Sequence, residues 1–211
     1  MASVVGTRAS VTSLDKLYNK LYSVAMSLEH ILLGLLRNPK SGYELKDEFD
    51  AGVANFWPAE LSQIYVTLKR LTKRGWLADR VEPSGKGPDR RVYRRTADGR
   101  RALRAWLAGE PQIGDERYSY IAQVYFLEEF GDLRATLAFL AKLRERLSRR
   151  LDALRAIDRA GAEATPAYPD RLPPDEFHQQ LTLQLGLDIG AARLAWCDAS
   201  MRRVKARLAR K

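Results

Sequence analysis

The sequence contains few of the residues from which disulfides, metal sites and catalytic centres are usually built. Its 211 residues include a single cysteine, Cys197, and two histidines, His30 and His178. A lone cysteine cannot form a disulfide within the chain, and its scarcity fits a reducing compartment. Neither histidine has a second histidine or a carboxylate at metal-ligand spacing. The sequence therefore predicts no metal site and no cofactor.

Common catalytic motifs are also missing. The chain has no phosphate-binding loop of the GxxxxGK type, no GxSxG elbow and no HExxH pair, each of which marks a large class of enzymes. With two histidines and one cysteine, the chain has few residues that could form the usual catalytic pair of a nucleophile and a base. We therefore expect a protein that is not an enzyme.

Long apolar runs are absent. The richest stretch, residues 31–36, is followed at once by Arg37, and it is far shorter than the roughly 18 residues that a membrane-spanning helix needs. No apolar signal segment follows a basic amino terminus. We therefore expect a cytoplasmic protein with no membrane association.

Positive charge, by contrast, is abundant and concentrated. The chain has a formal net charge of +10, and residues 61–104 alone contain 13 Lys and Arg against 4 Asp and Glu, a surplus of nine. A basic surplus favours a polyanionic partner, such as nucleic acid, an acidic membrane surface or an acidic protein. Its confinement to one fifth of the chain points to a localised binding surface.

The first half of the chain has signals for short helices. Ser27 can cap a first helix, and Ser41 with Glu44 forms the S-x-x-E capping box that opens a second. A third helix ends at Gly75, where a helix-terminating glycine is expected. Residues 1–25 carry a separate leucine spacing and are expected to form a partly helical extension.

A hairpin follows the third helix. Residues 76–82 and 90–96 are rich in Val, Tyr and Arg, and the segment between them is rich in Gly and Pro. This pattern predicts two strands joined by a longer tip. A fourth helix is expected from about Ala97. A polar-faced helix followed by a basic hairpin is the order of elements in a winged helix, which binds DNA.

The rest of the chain predicts helix almost throughout. One helix is expected over residues 118–130, a second over 132–159 with leucines at alternating four- and three-residue spacing, and a third over 175–208. Two long amphipathic helices joined by a Pro-rich turn bury each other only in part, so we expect a second copy to cover the remainder. The residues expected at this dimer interface are Phe126, Leu140, Leu147, Leu185 and Trp196.

Several short motifs occur in a fixed order. They are MSLEHILLGLL at 26–36, SGYEL at 41–45, LKRL at 68–71 and DRRVY at 89–93. In this order and at these spacings they resemble the PadR family of bacterial transcriptional regulators. The helical remainder is similar to the longer branch of that family, whose C-terminal helices form the dimer.

This resemblance implies a mainly α fold. Residues 26–110 would form a winged helix-turn-helix domain with a two-stranded wing, and residues 115–211 a C-terminal α-helical dimerisation domain. It also implies a homodimer that binds an operator in double-stranded DNA and usually represses transcription. We therefore expect a sequence-specific repressor on a pseudo-palindromic operator.

The third helix and the wing carry the residues expected to contact DNA. Gln63 is the best candidate for reading a base, because its amide can pair with adenine N6 and N7. Basic wing residues suit phosphate or minor-groove contacts, which position the protein. Tyr65 suits a phosphate contact or packing about equally. The expected DNA-binding residues are Ser62, Gln63, Tyr65, Lys69, Arg70, Lys86, Arg90 and Arg91.

Trp106 on the fourth helix has two interpretations. Relatives that respond to small molecules place aromatic side chains near the dimer centre, so the resemblance implies a site for a small aromatic effector. Its spacing from Leu103 and Leu107 is equally typical of a core residue.

One other class of function stays open. Residues 115–211 alone would suit a protein-binding coiled-coil adaptor without specific DNA recognition. An adaptor, however, gives no reason to gather basic residues on one helix and its neighbouring hairpin. The location of the charge therefore favours the DNA-binding regulator.

Overall fold

The computed structural model describes residues 27–83, 89–111, 113 and 116–210. The extension expected at residues 1–25 and the wing residue Lys86 lie outside the described residues. The chain divides into two compact units, Met1–Gln112 and Ile113–Lys211. Each unit is described by itself.

The first unit alternates short helices with the strands of a small sheet. Helix α1 is described over residues 27–35. It is followed by β1 (Lys40–Ser41), α2 (Gly42–Ala51), a 3₁₀ turn (Val53–Asn55), α3 (Leu61–Lys73), β2 (Leu77–Glu82), β3 (Arg90–Arg95) and α4 (Ala97–Leu107).

Two of the predicted helix-end signals, the capping box at Ser41 and the glycine at 75, are confirmed. The backbone amide of Ser41 donates to Glu44 Oε2 at 2.7 Å, and the amide of Glu44 donates to Ser41 Oγ at 3.3 Å, which is the reciprocal capping box. Gly75 has φ +76°, and its amide donates to the Thr72 carbonyl at 3.0 Å while that of Trp76 donates to the Leu71 carbonyl at 3.0 Å. This is a Schellman ending, which needs a left-handed residue where Gly75 lies.

The sheet has one strand more than the sequence predicts. Its order is β1-β3-β2, with antiparallel pairing on both sides of β3. The wing hairpin pairs Leu77 with Arg95 at one end and Glu82 with Arg90 at the other. Strand β1 has only two residues and pairs Lys40 with Tyr93, so it is too short to produce an alternating pattern.

The core of this unit lies between the three helices α1, α2 and α3 and the sheet. Leu33 belongs to it and also packs beside Gly99 of α4. The fully buried side chains are Leu32, Leu33, Leu36, Leu45, Phe49, Ile64, Leu68 and Leu71. This packing fixes one face of α3 and leaves the opposite face to solvent.

The second unit consists of helices. They are α5 (Ser119–Tyr125), a 3₁₀ turn (Leu127–Phe130), α6 (Leu133–Ala164) and α7 (Pro174–Leu208). The single helix expected over residues 118–130 is wrong, because the amide of Phe126 bonds to the Gln123 carbonyl three residues back and the chain tightens there into a 3₁₀ turn.

Helices α6 and α7 pack along a seam of which the sequence predicts the α6 side but not the α7 side. A Cβ at Gly190 would lie 3.0 Å from Leu151 Cδ1, and one at Gly186 would lie 3.2 Å from Leu154 Cδ1. Small residues therefore allow α7 to approach α6 closely. Because this row of α7 contains glycines and Cys197 in place of large apolar residues, hydrophobic spacing does not reveal it.

The expectation that Leu140 lies at a dimer interface needs correction. Its side chain is only 2% exposed and lies in the cluster with Leu143 and Cys197 of its own chain. The Cys197 thiol is fully buried and donates to the Leu140 carbonyl at 3.3 Å. Burial raises the pKa of this thiol, as expected of a packed cysteine.

Candidate nucleic-acid interface

Helix α3 has one buried face and one solvent-facing row. Ile64, Leu68 and Leu71 are fully buried, and these contacts determine the rotation of the helix about its axis. The opposite side, here called the outward row, consists of five exposed residues: Ser62, Gln63, Val66, Lys69 and Lys73. An exposed helix face bearing hydrogen-bonding groups at its start and cations further along suits a DNA groove.

The side chain of Gln63 has a structural role in the protein by itself. Its Oε1 accepts a hydrogen bond of 2.8 Å from the backbone amide of Glu60, the residue before the helix. The amide oxygen thus satisfies a donor at the start of α3. Reading adenine through both amide atoms requires this bond to break or to be shared.

Tyr65 packs against α2. A Cβ at Gly42 would lie 2.5 Å from Tyr65 Cε1, so the ring can take this position only because residue 42 is glycine. The ring centroid lies 6.3 Å from that of Tyr43 in an edge-on arrangement. Burial, and to a smaller extent Tyr43, raises the pKa of Tyr65. The Tyr65 ring therefore packs α3 against α2. Tyr43, beside it, is an exposed aromatic residue that the sequence did not identify as part of this surface.

Arg70 does not belong to the outward row, which corrects the expected arrangement of α3. Its Nε lies 2.5 Å from Glu29 Oε1, and Arg74 Nη1 lies 2.8 Å from Glu29 Oε2. The Glu29 side chain is only 3% exposed. This carboxylate binds both arginines, so neither guanidinium is a free cation.

Glu29 is a residue that sequence reasoning missed. A signal was present, because Glu29 precedes Leu32 and Leu36 by three and seven residues on α1. This spacing puts a charged side chain on the buried face of a helix. A buried carboxylate needs cationic or hydrogen-bonding partners, and α3 supplies them.

The described wing arginines form ion pairs with carboxylates that are half-buried or exposed. Arg90 lies 3.2 Å from Glu82 and 3.5 Å from Glu44, and Arg91 lies 3.4 Å from Asp79. Both arginines are more than half exposed. Exposed pairs of this kind contribute about 0 to 1 kcal/mol each, so a phosphate group can readily replace the carboxylate.

Trp106 borders a cleft of the first unit. Its ring is stacked on His30, with centroids 5.0 Å apart and an interplanar angle of 5°, and it is 36% exposed. The cleft has a volume of about 350 Å³, and its walls include Ile31, Phe56, Trp57, Trp106, Leu107 and Pro111. Trp106 is thus neither a fully buried core residue nor a free surface residue.

Contacts continue from this cleft to α3. The His30 ring also lies 6.1 Å from the ring of Trp76. The guanidinium of Arg74 lies 4.9 Å above the Trp76 ring, at the distance of a cation–π contact. Arg74 in turn binds Glu29, which also binds Arg70. A continuous set of contacts therefore joins Trp106 to α3.

The second unit exposes apolar side chains that suit an interface. Phe126 is 60% exposed, Leu185 61% and Trp196 38%. Leu147 is half-buried against the cluster around Cys197, so its own chain already covers part of it. Exposed aromatic and leucine side chains of this size mark interaction surfaces more often than free surface.

Within the described ranges, no three His, Cys, Asp or Glu side chains are grouped so that they could hold a metal ion. Among the helices of those same ranges, none is both long enough and apolar enough to cross a bilayer.

Comparison with known sequences gives two family matches. The profile of the transcriptional regulator PadR-like family matches residues 31–105, and that of the virulence activator alpha C-terminal family matches residues 116–205. A probable transcriptional regulator of Mycobacterium tuberculosis is 32% identical over 185 residues, which is 82% of this chain and 95% of the relative. The negative transcriptional regulator PadR of Bacillus subtilis is 26% identical over 174 residues, with 82% and 94% covered.

Solved structures share the fold over most of the chain. Bacillus subtilis PadR in complex with operator DNA superposes with a TM-score of 0.73 at 24% identity, covering 84% of this chain and 99% of that one. The same protein in complex with p-coumaric acid gives 0.69 at 23% identity, covering 86% and 97%. The Vibrio cholerae virulence activator AphA gives 0.64 at 24% identity, covering 85% and 98%. The predicted winged helix with a helical C-terminal region is confirmed.

Proposed function

Since the chain belongs to the PadR-like family of transcriptional regulators, as its ordered motifs predict, we propose that it is a cytoplasmic repressor that binds a pseudo-palindromic operator as a homodimer. The outward row of α3 carries this proposal. Its cations Lys69 and Lys73 are exposed and have no ion-pair partner among the described residues. One relative supports the repressor role by its name and its structure: Bacillus subtilis PadR is a negative transcriptional regulator, and it has been solved in complex with operator DNA.

In the proposed complex, the outward row of α3 enters the major groove. Ser62 and Gln63 at its start contact base edges, while Lys69 contacts a phosphate. Arg90 and Arg91 exchange their carboxylate partners for backbone phosphates, and Lys86, from the segment of the sequence between β2 and β3, adds another contact. Base contacts select the sequence and phosphate contacts position the protein.

The homodimer is proposed from the exposed apolar residues of the second unit. A second copy covering Phe126, Leu185 and Trp196 would remove their rings and methyl groups from water. It would also hold two recognition helices at a fixed separation, so that they reach successive major grooves about 34 Å apart. Replacing Leu185 by Glu should therefore give a 23.9 kDa species in sedimentation, where the parent sediments as a dimer. A parent that is monomeric at micromolar concentration would contradict the dimer.

A mobility-shift experiment tests the DNA-binding function. The probe is the DNA flanking the protein's own gene, titrated over a series of salt concentrations. We expect a discrete shifted band whose affinity falls steeply with salt, because each neutralised phosphate contributes a slope of about −0.9. No binding at any salt concentration would instead favour the protein-binding adaptor.

Substitution of Gln63 by Ala tests its role as a base reader. The expected loss is about 1 to 3 kcal/mol of discrimination at one base position in each half-site. Glu60→Ala, which leaves the Gln63 side chain in place, serves as the control. If Gln63→Ala binds all operator variants with the parent's preferences, this role is wrong.

Control by a small aromatic effector is a second candidate function. The stacked pair of Trp106 and His30 at the cleft favours it, because a planar ligand can stack on an exposed indole. The contacts through Trp76 and Arg74 give such a ligand a physical route to α3. We expect p-coumaric acid or a related phenolic acid to release the DNA, and Trp106→Ala to abolish this response while DNA binding persists. Release that is unaffected by Trp106→Ala would exclude this site.

A further inference from the structure

Three structural elements of the first unit meet at the end of the wing hairpin away from its tip. They are the C-terminal end of α1, the last residue of β3 and the first turns of α4. Arg95, at the end of β3, donates through Nη1 to the Leu33 carbonyl at 2.9 Å. A Cβ at Gly99 would lie 3.1 Å both from Arg95 Cγ and from Leu33 Cδ2, which shows how closely α4 approaches them.

The guanidinium of Arg95 is incompletely satisfied. Its Nε is enclosed and has no hydrogen-bond partner within the part of the chain that is described. Buried donors in folded proteins are nearly always paired with protein, water or a bound ion. The Nε of Arg95 is therefore a donor that a water molecule or a bound anion can use.

The surroundings of Arg95 are cationic. Burial lowers the pKa of its guanidinium, and the neighbouring Arg100, Arg37 and Arg104 lower it further. Arg100 and Arg104 lie one turn apart on α4, and neither has an ion-pair partner in the described ranges. Like charges at this spacing repel each other, so an anion bound between them would relieve unfavourable electrostatics.

This cluster is separate from the wing residues of the DNA interface. Arg90 and Arg95 are at opposite ends of β3, and five residues of extended strand span about 17 Å. Arg90 is paired with Glu44 and Glu82, whereas the charged neighbours that lower the pKa of Arg95 are arginines. The two ends of the hairpin therefore lie apart, and one carries ion pairs whereas the other carries a cluster of arginines.

We propose that Arg95, Arg100 and Arg104 form a binding site for a phosphate-type anion. Planar guanidinium groups present paired donors that match the oxygens of a phosphate. Several cations converging on one place suit a doubly charged ligand better than a single carboxylate. Arg95 supplies the fixed part of the site, and Arg100 and Arg104 close on the anion from the surface of α4.

Titration calorimetry of the full-length protein with inorganic pyrophosphate tests the site. The ionic strength is held constant with sodium chloride, and no DNA is present. We expect the double variant Arg100→Gln/Arg104→Gln to bind pyrophosphate about tenfold more weakly or worse. Arg101→Gln is the matched control, because Arg101 is on the same helix but is paired with Asp98, and it should bind like the parent. Equal affinity of parent and double variant, or an equal loss in the control, would overturn the proposal.

Thermal unfolding at low ionic strength provides a second readout. Without pyrophosphate, the double variant should unfold at the same temperature as the parent or at a higher one, since repulsion has been removed. With pyrophosphate, only the parent and the control should be stabilised. A double variant that unfolds at a lower temperature without ligand would show that these arginines stabilise the fold, and would contradict an unrelieved cationic cluster.

The phosphate group could come from a free phosphate compound or from the backbone of DNA beyond the operator. Two duplexes that the parent retards, one of about 20 base pairs and one much longer, separate these sources. If the source is DNA, the double variant loses affinity for the longer duplex only, and pyrophosphate competes there. If it is a free compound, both duplexes are bound by the variant as by the parent.

Discussion

The two sides of α3 carry the same number of cations in different states. On the outward row, Lys69 and Lys73 are exposed and unpaired in the described part of the chain. Toward α1, Arg70 and Arg74 are both bound by the buried carboxylate of Glu29. This difference shows that only part of the positive charge counted in the sequence is accessible to a binding partner. Position relative to the core determines which cations are free.

Removal of the Glu29 charge should have the largest effect on this arrangement. In Glu29→Gln, two arginines lose a buried partner, and charge-assisted hydrogen bonds contribute about 1.5 to 3 kcal/mol each. Because both guanidinium groups can turn toward water, we expect a total loss of about 2 to 3 kcal/mol in the free energy of unfolding, measured with urea. Asp98→Asn, which breaks the exposed pair with Arg101, is the control and should cost less than about 1 kcal/mol. Equal losses in the two variants would contradict a special role for Glu29.

The salt dependence of DNA binding sharpens the comparison between the two sides. Lys69→Gln should reduce the steepness of the logarithmic salt plot by about 0.9 for each phosphate contact that is lost. Arg70→Gln should leave the slope unchanged, because the Arg70 guanidinium is held by Glu29 on the side of α3 that faces α1 and makes no phosphate contact there. Fluorescence anisotropy of labelled operator over a salt series measures both. A larger change in the salt slope for Arg70→Gln than for Lys69→Gln would mean that the side of α3 facing α1, and not the outward row, contacts DNA.

The smallest effect is expected at the start of α2, where the carboxylate is exposed. Hydrogen bonds from the Ser41 backbone and side chain lower the pKa of Glu44. A lowered pKa in the folded state means that this contribution is complete above the ordinary pKa of 4.5 and is lost as the pH falls through the folded value. Glu44→Gln should therefore flatten the loss of stability below about pH 5 by less than about 1 kcal/mol, as measured by urea unfolding at several pH values. A parallel pH profile in parent and variant would contradict this effect.

Local signals in the sequence predicted most of the first unit. The capping box at Ser41 and the glycine at the end of α3 act between residues close in the chain, so composition and spacing reveal them. The ion pair between Glu29 and Arg70 joins residues far apart in the sequence. Its geometry depends on how α1 packs on α3, and no periodic pattern reports that packing. For this reason the sequence counted Arg70 among the DNA-contacting residues without revealing that Glu29 binds it.

In the second unit, the sequence predicts the helices but not what covers their apolar side chains. Leucines at regular spacing predicted most of α6, which runs five residues past the expected end at residue 159. They could not show whether the same chain or a second copy covers each leucine. Leu140 is covered by its own chain, whereas Leu185 is exposed. The seam of α7 depends on Gly186 and Gly190, whose small size permits close packing without any hydrophobic signal.

Site-specific cross-linking tests most directly whether the outward row of α3 contacts DNA. Val66 lies in the middle of this row and is 64% exposed, while Ile157 of α6 is 46% exposed. A photoreactive benzoylphenylalanine replaces each residue in turn, and the protein is irradiated while bound to DNA flanking its own gene. The proposed interface predicts a cross-link to DNA from position 66 and none from position 157. Cross-linking from position 157 but not from position 66, with DNA binding intact in both, would contradict it.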